Sequence, residues 1–336
     1  MARLRVALVG CGLISETHLN AYRKHADRAA VVACYDTDPE RAARRAAEAG
    51  SARVASSLQE ILDDPGVDAV DLLTPHHVHR EQAVAALHAG KHVLLQKPLA
   101  HRIEDCEKIV QAANEADSVL FYGEMNHTAP AVLGARKAIA DGEIGRLVAT
   151  QSIYAYWQGG EILNTAWRYD PALAGGGQLL DGGIHQIAVM ETAAGPIESV
   201  SAMTTRFRPE LGGEDTASLA FRYSNGALGT FLSTHASALW PPSPSFVAFG
   251  TEGLLTIGGP YEALVLHRKD LPDRRKVLLE KREDLFATMV GGYLDAVLEG
   301  APNPSTAEQG MREMQVALAA YRSAETGTAV RVEDVR

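Results

Sequence analysis

Leu4 to Val9 is a short, mostly apolar run, and it stops abruptly at Gly10-Cys11-Gly12-Leu13-Ile14-Ser15. Such a run suits a strand buried on both faces. A helical pattern follows to about His25, and a second apolar run, Ala30 to Tyr35, ends at Asp36. Strand, glycine turn, helix, strand and acidic residue is the order of a dinucleotide-binding fingerprint. Gly10 would permit the tight turn, and Gly12 would let the backbone approach a pyrophosphate. The helix start at Leu13 and Ile14 would offer free amide donors and a favourable dipole. Ser15 stands where the fingerprint has its third glycine. The competing reading of these residues is an ordinary glycine-rich surface turn. Asp36, with Thr37 after it, would accept hydrogen bonds from adenosine ribose hydroxyls and repel a 2′-phosphate, which favours NAD over NADP. Its structural alternative is a turn or cap for the helix that starts near Pro39.

The alternation continues. Helices are expected at Pro39 to Ala49, Ser57 to Leu62, Arg80 to Ala89 and Glu104 to Ala116, and strands at Ala69 to Leu73, His92 to Leu95 and Val119 to Tyr122. This pattern predicts a doubly wound parallel sheet, whose ligands sit beyond the carboxyl ends of the strands. Gly10, Asp36, Thr74, Lys97 and Gly123 all fall at such ends. Lys97 is charged, closes a buried run and is restricted by Pro98, so it is a candidate for the cleft and, equally, a solvated strand-end lysine. His76, His77 and His79 lack a nearby Cys, Asp or Glu to complete a metal set, so no metal is expected. His76 is assigned to the cofactor ribose or nicotinamide. His79, expected to start a helix, is grouped with Thr74 and Gln96 as a cofactor contact.

A chain of 336 residues is long enough for two domains. Its net charge of −10 argues against nucleic acid or an anionic membrane as a partner. No apolar stretch approaches the roughly 20 residues of a membrane span. The first residues enter a strand pattern with no small-residue cleavage site, so a signal peptide is not expected. Cys11, Cys34 and Cys106 have no disulfide or metal spacing, which fits a reduced, cytoplasmic compartment.

From about Asn126 the pattern changes. After a helix at Ala131 to Ala140, alternating runs at Leu147 to Tyr156, Val200 to Phe207, Thr216 to Tyr223, Ala227 to Thr234, Ser245 to Gly250 and Leu254 to Ile257 are separated by Gly- and Pro-bearing turns. Ser224-Asn225-Gly226 is a strong hairpin signal. The fold class is therefore α/β: an N-terminal Rossmann domain, residues 1–123, and a C-terminal α+β domain, residues 124–336, with a large, mostly antiparallel open sheet. Tyr154, Tyr156, Trp157, Trp167 and Trp240 are candidates for a flat surface against a sugar ring, with ordinary packing as the alternative. Gly175 to His185 reads Gly-Gly-Gly-Gln-Leu-Leu-Asp-Gly-Gly-Ile-His. On one helix Asp181 and His185 would share a face, and a carboxylate beside an imidazole suits proton transfer near neutral pH. Gly182 and Gly183 each cost about 1 kcal/mol in a helix, which points to a backbone held close to a ligand. A solvated ion pair at a helix start is the plainer alternative.

The glycine turn, Asp36, Thr74-Pro75, Lys97-Pro98 and the Gly175–His185 segment occur in order. Asp215 to Phe221, Asn225 to Thr230, Gly250 to Leu255 and Leu318 to Val330 extend the pattern over almost the whole chain. Together they resemble the glucose–fructose oxidoreductase, inositol dehydrogenase and rhizopine-catabolism (Gfo/Idh/MocA) family. The resemblance implies an NAD(P)-dependent dehydrogenase or ketoreductase acting on a sugar, polyol or related secondary alcohol. It implies a catalytic Lys97, with Asp181 and His185 as the family's carboxylate and imidazole. It also implies a cleft stretch at Trp167-Arg168 and subunit association, as a homodimer or homotetramer, through the open sheet. Three positions depart from the pattern: Gln96 where glutamate is usual, His127 where many relatives carry arginine, and Gln186 to Val189 where many place an aspartate. His127, Tyr156, Trp167, Arg168 and His185 are the expected substrate contacts.

In this reading His185 takes a hydroxyl proton, Asp181 orients it, Lys97 holds the same oxygen, and hydride passes to nicotinamide. The ammonium at 97 and the imidazole at 185 must then converge near a bound nicotinamide. The rival functions are a non-catalytic NAD-binding sensor or repressor of this fold and an NAD-dependent glycosidase.

Overall fold

The computed structural model describes residues 3–50, 52–159, 165–258, 263–279 and 284–336. The chain divides into two compact units, residues 1–125 with 284–311 and residues 126–283 with 312–336.

The first unit alternates β1 (Leu4–Val9), α1 (Leu13–Lys24), β2 (Ala29–Tyr35), α2 (Pro39–Glu48), β3 (Arg53–Val54), α3 (Leu58–Asp63), β4 (Ala69–Leu72), α4 (His79–His88), β5 (His92–Gln96), α5 (Ile103–Glu115) and β6 (Leu120–Gly123). The strands form one parallel sheet in the order β3-β2-β1-β4-β5-β6. Val6, Leu8, Leu94 and Phe121 are fully buried, which is why these strands are mostly apolar rather than alternating. Asp38, not Asp36, caps α2: its side chain accepts from the Glu40 and Arg41 amides, with Pro39 at the helix start. The strand order reverses between β1 and β4, so the loops after these two strands flank the sheet's topological switch point.

The second unit contains α6 (Pro130–Ala140), β7 (Leu147–Ala155), α7 (Pro171–Ala174), α8 (Gln178–Asp181), α9 (Ile184–Ala194), β8 (Ile197–Thr205), β9 (Thr216–Tyr223), β10 (Leu228–Thr234), β11 (Phe246–Gly250), β12 (Gly253–Ile257), β13 (Leu264–Arg268) and β14 (Arg275–Leu279). After α10 (Leu285–Glu299), the chain ends with α11 (Ala307–Thr326) and β15 (Val330–Arg331). The second sheet runs β14-β13-β12-β11-β7-β10-β9-β8-β15. Every pair in it is antiparallel except β7 with β10. In β9, Ala217, Leu219, Phe221 and Tyr223 point into the core, while Ser218, Ala220 and Arg222 face outward. Helices α6 and α9 pack on each other, α9 against β7 and β11 and α6 against β12, β13 and β14. The outer face carries Met203, Leu228, Leu232 and Phe249, which are 74%, 52%, 40% and 38% exposed.

The expectation that everything beyond residue 123 forms the second domain needs one correction. Helix α10 belongs to the first unit. Its Met289, Val290, Tyr293 and Leu294 are buried in the same cluster as Leu19 and Tyr22 of α1. These residues form one apolar stripe at helical spacing, which must be covered, and Arg28 fastens it through Asp295 and Glu299 at 2.7 and 2.8 Å.

Candidate active site

The turn after β1 is shaped by contact with β4. Gly10 has φ +92°, and a Cβ there would stand 2.6 Å from the Leu73 carbonyl oxygen. Only glycine meets both conditions without strain. Gly12 opens α1 with no side-chain cap, and a Cβ on Gly12 would meet nothing within 4 Å. The helix start therefore presents amides, including those of Leu13 and Ile14, that no side chain claims, beside open space that suits a diphosphate. Ser15 is fully buried and turns its hydroxyl back to the Gly12 carbonyl at 2.6 Å, so the small residue in the third glycine place packs without an orphaned group. Asp36 Oδ2 accepts the Cys11 amide at 2.7 Å and Oδ1 the Asp38 amide at 2.9 Å. Each oxygen keeps a lone pair for a ribose hydroxyl, and Thr37 beside it is exposed. These residues fit an NAD-type dinucleotide.

The loops after β4 and β5 are tied together by His79. This residue is not a cofactor contact. It is fully buried, with Nδ1 2.9 Å from the Pro98 carbonyl and Nε2 2.9 Å from the Thr74 carbonyl. Burial pushes its pKa down to about 4, against the raising effect of those carbonyls. His76 is also buried, at 3% exposure, with its ring 5.9 Å from that of His79. Thr74 donates its hydroxyl to Gln82 at 2.6 Å. Gln96 likewise faces inward: Oε1 accepts the Lys97 amide at 2.8 Å, and Nε2 lies 3.2 Å from His18 Nε2. Lys97 itself is half-buried and joined to Pro98 by a cis peptide.

In the second unit the Gly175–His185 segment is not one helix. Helix α8 ends at Asp181 and α9 begins at Ile184, with the Gly183 and Gly182 amides both donating to the Gln178 carbonyl. The glycines answer to protein neighbours. A Cβ on Gly183 would lie 2.7 Å from the Leu179 carbonyl oxygen, and one on Gly182 2.6 Å from Gln178 Oε1. Asp181, the last residue of α8, accepts from Arg168 Nε at 3.1 Å. Arg168 also donates to Thr165 at 3.1 Å and lies over the Trp167 ring, 4.5 Å from its centroid. His185 sits half-buried in the first turn of α9, and its carbonyl accepts from Asn126 at 3.1 Å. His127 is not exposed to a substrate: it is 3% exposed and its Nε2 is 2.7 Å from Glu313, itself buried. An imidazole sealed with a carboxylate is a structural tie between the start of this unit and α11.

Of the five candidate aromatics, Tyr154, Tyr156 and Trp240 converge, while Trp157 packs under Arg208 with its ring 4.0 Å from the guanidinium carbon. Tyr156 stacks on Trp240 at 5.4 Å and 29°, Tyr154 meets both edge-on, and His235 Nε2 is 3.0 Å from the Tyr156 hydroxyl. Burial raises the Tyr156 pKa; Asp181 adds to this, and Tyr154 and Arg168 oppose it. Tyr156, Asp181 and Arg168 therefore share one electrostatic environment. His235, which sequence reading passed over, completes this cluster. Its signal was slight: one polar residue just after an alternating strand. His18 was also missed, although it lies with Ser15, Leu19 and Tyr22 on the buried face of α1. Asp71, inside the apolar run Ala69 to Leu73, was the matching signal.

The Gfo/Idh/MocA oxidoreductase family, with its NAD-binding Rossmann fold, matches residues 4–124, and the family's C-terminal domain matches residues 132–256. A 1,5-anhydro-D-fructose reductase from Ensifer adhaerens is 32% identical over 339 residues, covering 98% of each chain. An oxidoreductase of known structure from Thermotoga maritima is 27% identical, with a TM-score of 0.91 over 100% of both chains. A levoglucosan dehydrogenase solved with NADH and levoglucosan is 25% identical, with a TM-score of 0.87 over 98% of this chain and 99% of that one. Both halves match in order and one relative aligns almost end to end, so this chain belongs to the Gfo/Idh/MocA family of NAD-binding oxidoreductases.

Proposed function

We propose that the protein oxidises a secondary alcohol of a cyclic sugar or polyol with NAD, or reduces the matching ketone. The observation that carries this reading lies within the first unit. The uncapped glycine start of α1 and the Asp36 carboxylate form a dinucleotide cradle, and Lys97 closes β5 of the same sheet. NAD, when bound, supplies the hydride acceptor. Lys97 hydrogen-bonds the reacting oxygen and offsets the negative charge that develops there. His185 takes the hydroxyl proton. Asp181, held by Arg168, is the carboxylate that orients His185. In the reductive direction His185 returns the proton to the same oxygen.

Two similar proteins are named for an anhydro-sugar substrate, a 1,5-anhydro-D-fructose reductase and a levoglucosan dehydrogenase. The Tyr154, Tyr156 and Trp240 cluster supports a ring-shaped substrate, because aromatic faces pack on the apolar face of a sugar ring. Trp240 Nε1 is buried with no hydrogen-bond partner among the described residues, and a substrate hydroxyl would satisfy it. Met203, Leu228, Leu232 and Phe249 on the outer sheet face support a homodimer or homotetramer. The three free, buried cysteines are compatible with the cytoplasm.

The experiment is absorbance at the NADH band across a panel of anhydro-sugars, aldoses and inositols, with NAD and with NADP. Net NADH formation with NAD supports the reading. Binding without turnover would make the protein a sensor, and glycoside cleavage without net NADH would make it a glycosidase.

A further inference from the structure

The interior of the first unit holds a histidine–carboxylate couple that the chemistry above does not use. His18 on α1 and Asp71 on β4 are both fully buried, with His18 Nδ1 2.8 Å from Asp71 Oδ2. On the other side of the imidazole, Nε2 lies 3.2 Å from Gln96 Nε2 at the end of β5. Gln96 Oε1 accepts the main-chain N–H of Lys97 at 2.8 Å. These four residues form a single chain of contacts that ends at the peptide of Lys97.

Hydrogen-bond chemistry fixes the direction of that chain. A peptide N–H can only donate, so the end of the Gln96 amide facing Lys97 is the oxygen. The amide NH₂ can also only donate, so His18 Nε2 must carry the lone pair. The ring proton is then on Nδ1 and is given to Asp71. Each group donates to the next, from Lys97 through Gln96 and His18 to Asp71. Among the described residues, no other charged group is recorded at hydrogen-bond distance from the imidazole. The Phe286 ring of α10 is 5.5 Å from the imidazole. Burial raises the pKa values of the Tyr22 hydroxyl of α1 and the Tyr293 hydroxyl of α10, and the nearby Asp71 adds to the rise.

We propose that Gln96 is a positioning residue for Lys97, holding its peptide through a one-way chain that keeps His18 in the Nδ1–H form. The proposal rests on the reading of Lys97 given above. A glutamate at 96 could still accept from Lys97, but it could not donate to His18. Its carboxylate would call for a proton on Nε2, leaving a doubly protonated ring between two carboxylates. Glutamine spares the buried site that second proton.

Imidazole ¹⁵N NMR of histidine-labelled protein at pH 7.5, without cofactor, tests the chain directly. We expect one ring with a protonated Nδ1 and an unprotonated Nε2, assigned by its loss in His18→Gln. In Gln96→Glu that ring gains a proton on Nε2. A wild-type His18 protonated on Nε2 would overturn the proposal. In turnover, Gln96→Leu is expected to lower kcat about tenfold, with the KM for NAD within about twofold, the size of one lost positioning hydrogen bond. Gln96→Glu is expected to add an ionisation to the pH profile of kcat that the wild type lacks. A loss of thermal stability in Gln96→Leu, with unchanged kcat and no new ionisation in Gln96→Glu, would make Gln96 merely structural and overturn the proposal. The NMR result does not depend on catalysis, whereas unchanged turnover in Lys97→Ala would defeat only the role given to Lys97.

Discussion

At Gly183 a single methyl group decides whether α8 and α9 can join. A Cβ there would stand 2.7 Å from the Leu179 carbonyl oxygen and 3.0 Å from Ser233 Oγ. Gly183→Ala is expected to destabilise the fold by about 1–3 kcal/mol, as overpacking against backbone does, read as a lower urea midpoint with an unchanged slope. An unchanged midpoint would mean that the join can relax. Asp36 is a residue-scale test of the nucleotide site. Its carboxylate also accepts the Cys11 amide at 2.7 Å, so the substitution removes both a ligand contact and a brace of the glycine turn. Asp36→Ala is expected to raise the Kd for NAD by about tenfold or more, the usual cost of losing hydrogen bonds to a charged group. Calorimetric titration with NAD checks this, and equal affinity in both proteins would remove Asp36 from the site.

At the scale of elements, His79 sits between the ends of two strands, its ring nitrogens each 2.9 Å from a carbonyl, that of Thr74 after β4 and that of Pro98 after β5, and the neutral ring donates to one of them. Its folded pKa of about 4 lies below the ordinary 6.5. The stability it contributes is therefore fully present above about pH 6.5 and is lost as the pH falls toward 4, to a total of about 3 kcal/mol. Urea melts across that window should show the acid loss in wild type and a flatter limb in His79→Gln; identical limbs would contradict this. The first unit's strands were legible because burial on both faces writes apolar runs, as in Val6 to Val9. The β9–β10 hairpin was legible from alternation around Asn225-Gly226. The split between α8 and α9 was not, because it depends on what a Cβ at Gly182 or Gly183 would strike. Nor was the placement of α10, whose cover is α1, more than 260 residues earlier in the chain. The glycine turn, Asp36 and Lys97 could be read as site candidates because strand ends of a parallel sheet are where ligands bind. His127 and His79 could not be separated from such candidates. Their partners, Glu313 in one case and two carbonyls in the other, are set by tertiary structure.

At the scale of the whole molecule, the nine-stranded sheet has an outer face with Met203 74% and Leu228 52% exposed. If copies associate through it, Leu228→Arg places a charge in an apolar interface, and sedimentation should show a smaller species than wild type. Equal masses would locate the interface elsewhere. Under the proposed function, Lys97 and His185 act on one substrate oxygen while NAD takes the hydride. Single-turnover NADH formation with the best panel substrate, in wild type, Lys97→Ala and His185→Ala, tests it most directly. The account predicts a fall of about 10²-fold or more in each variant with NAD affinity retained. Rates within a few fold of wild type in both variants would contradict it.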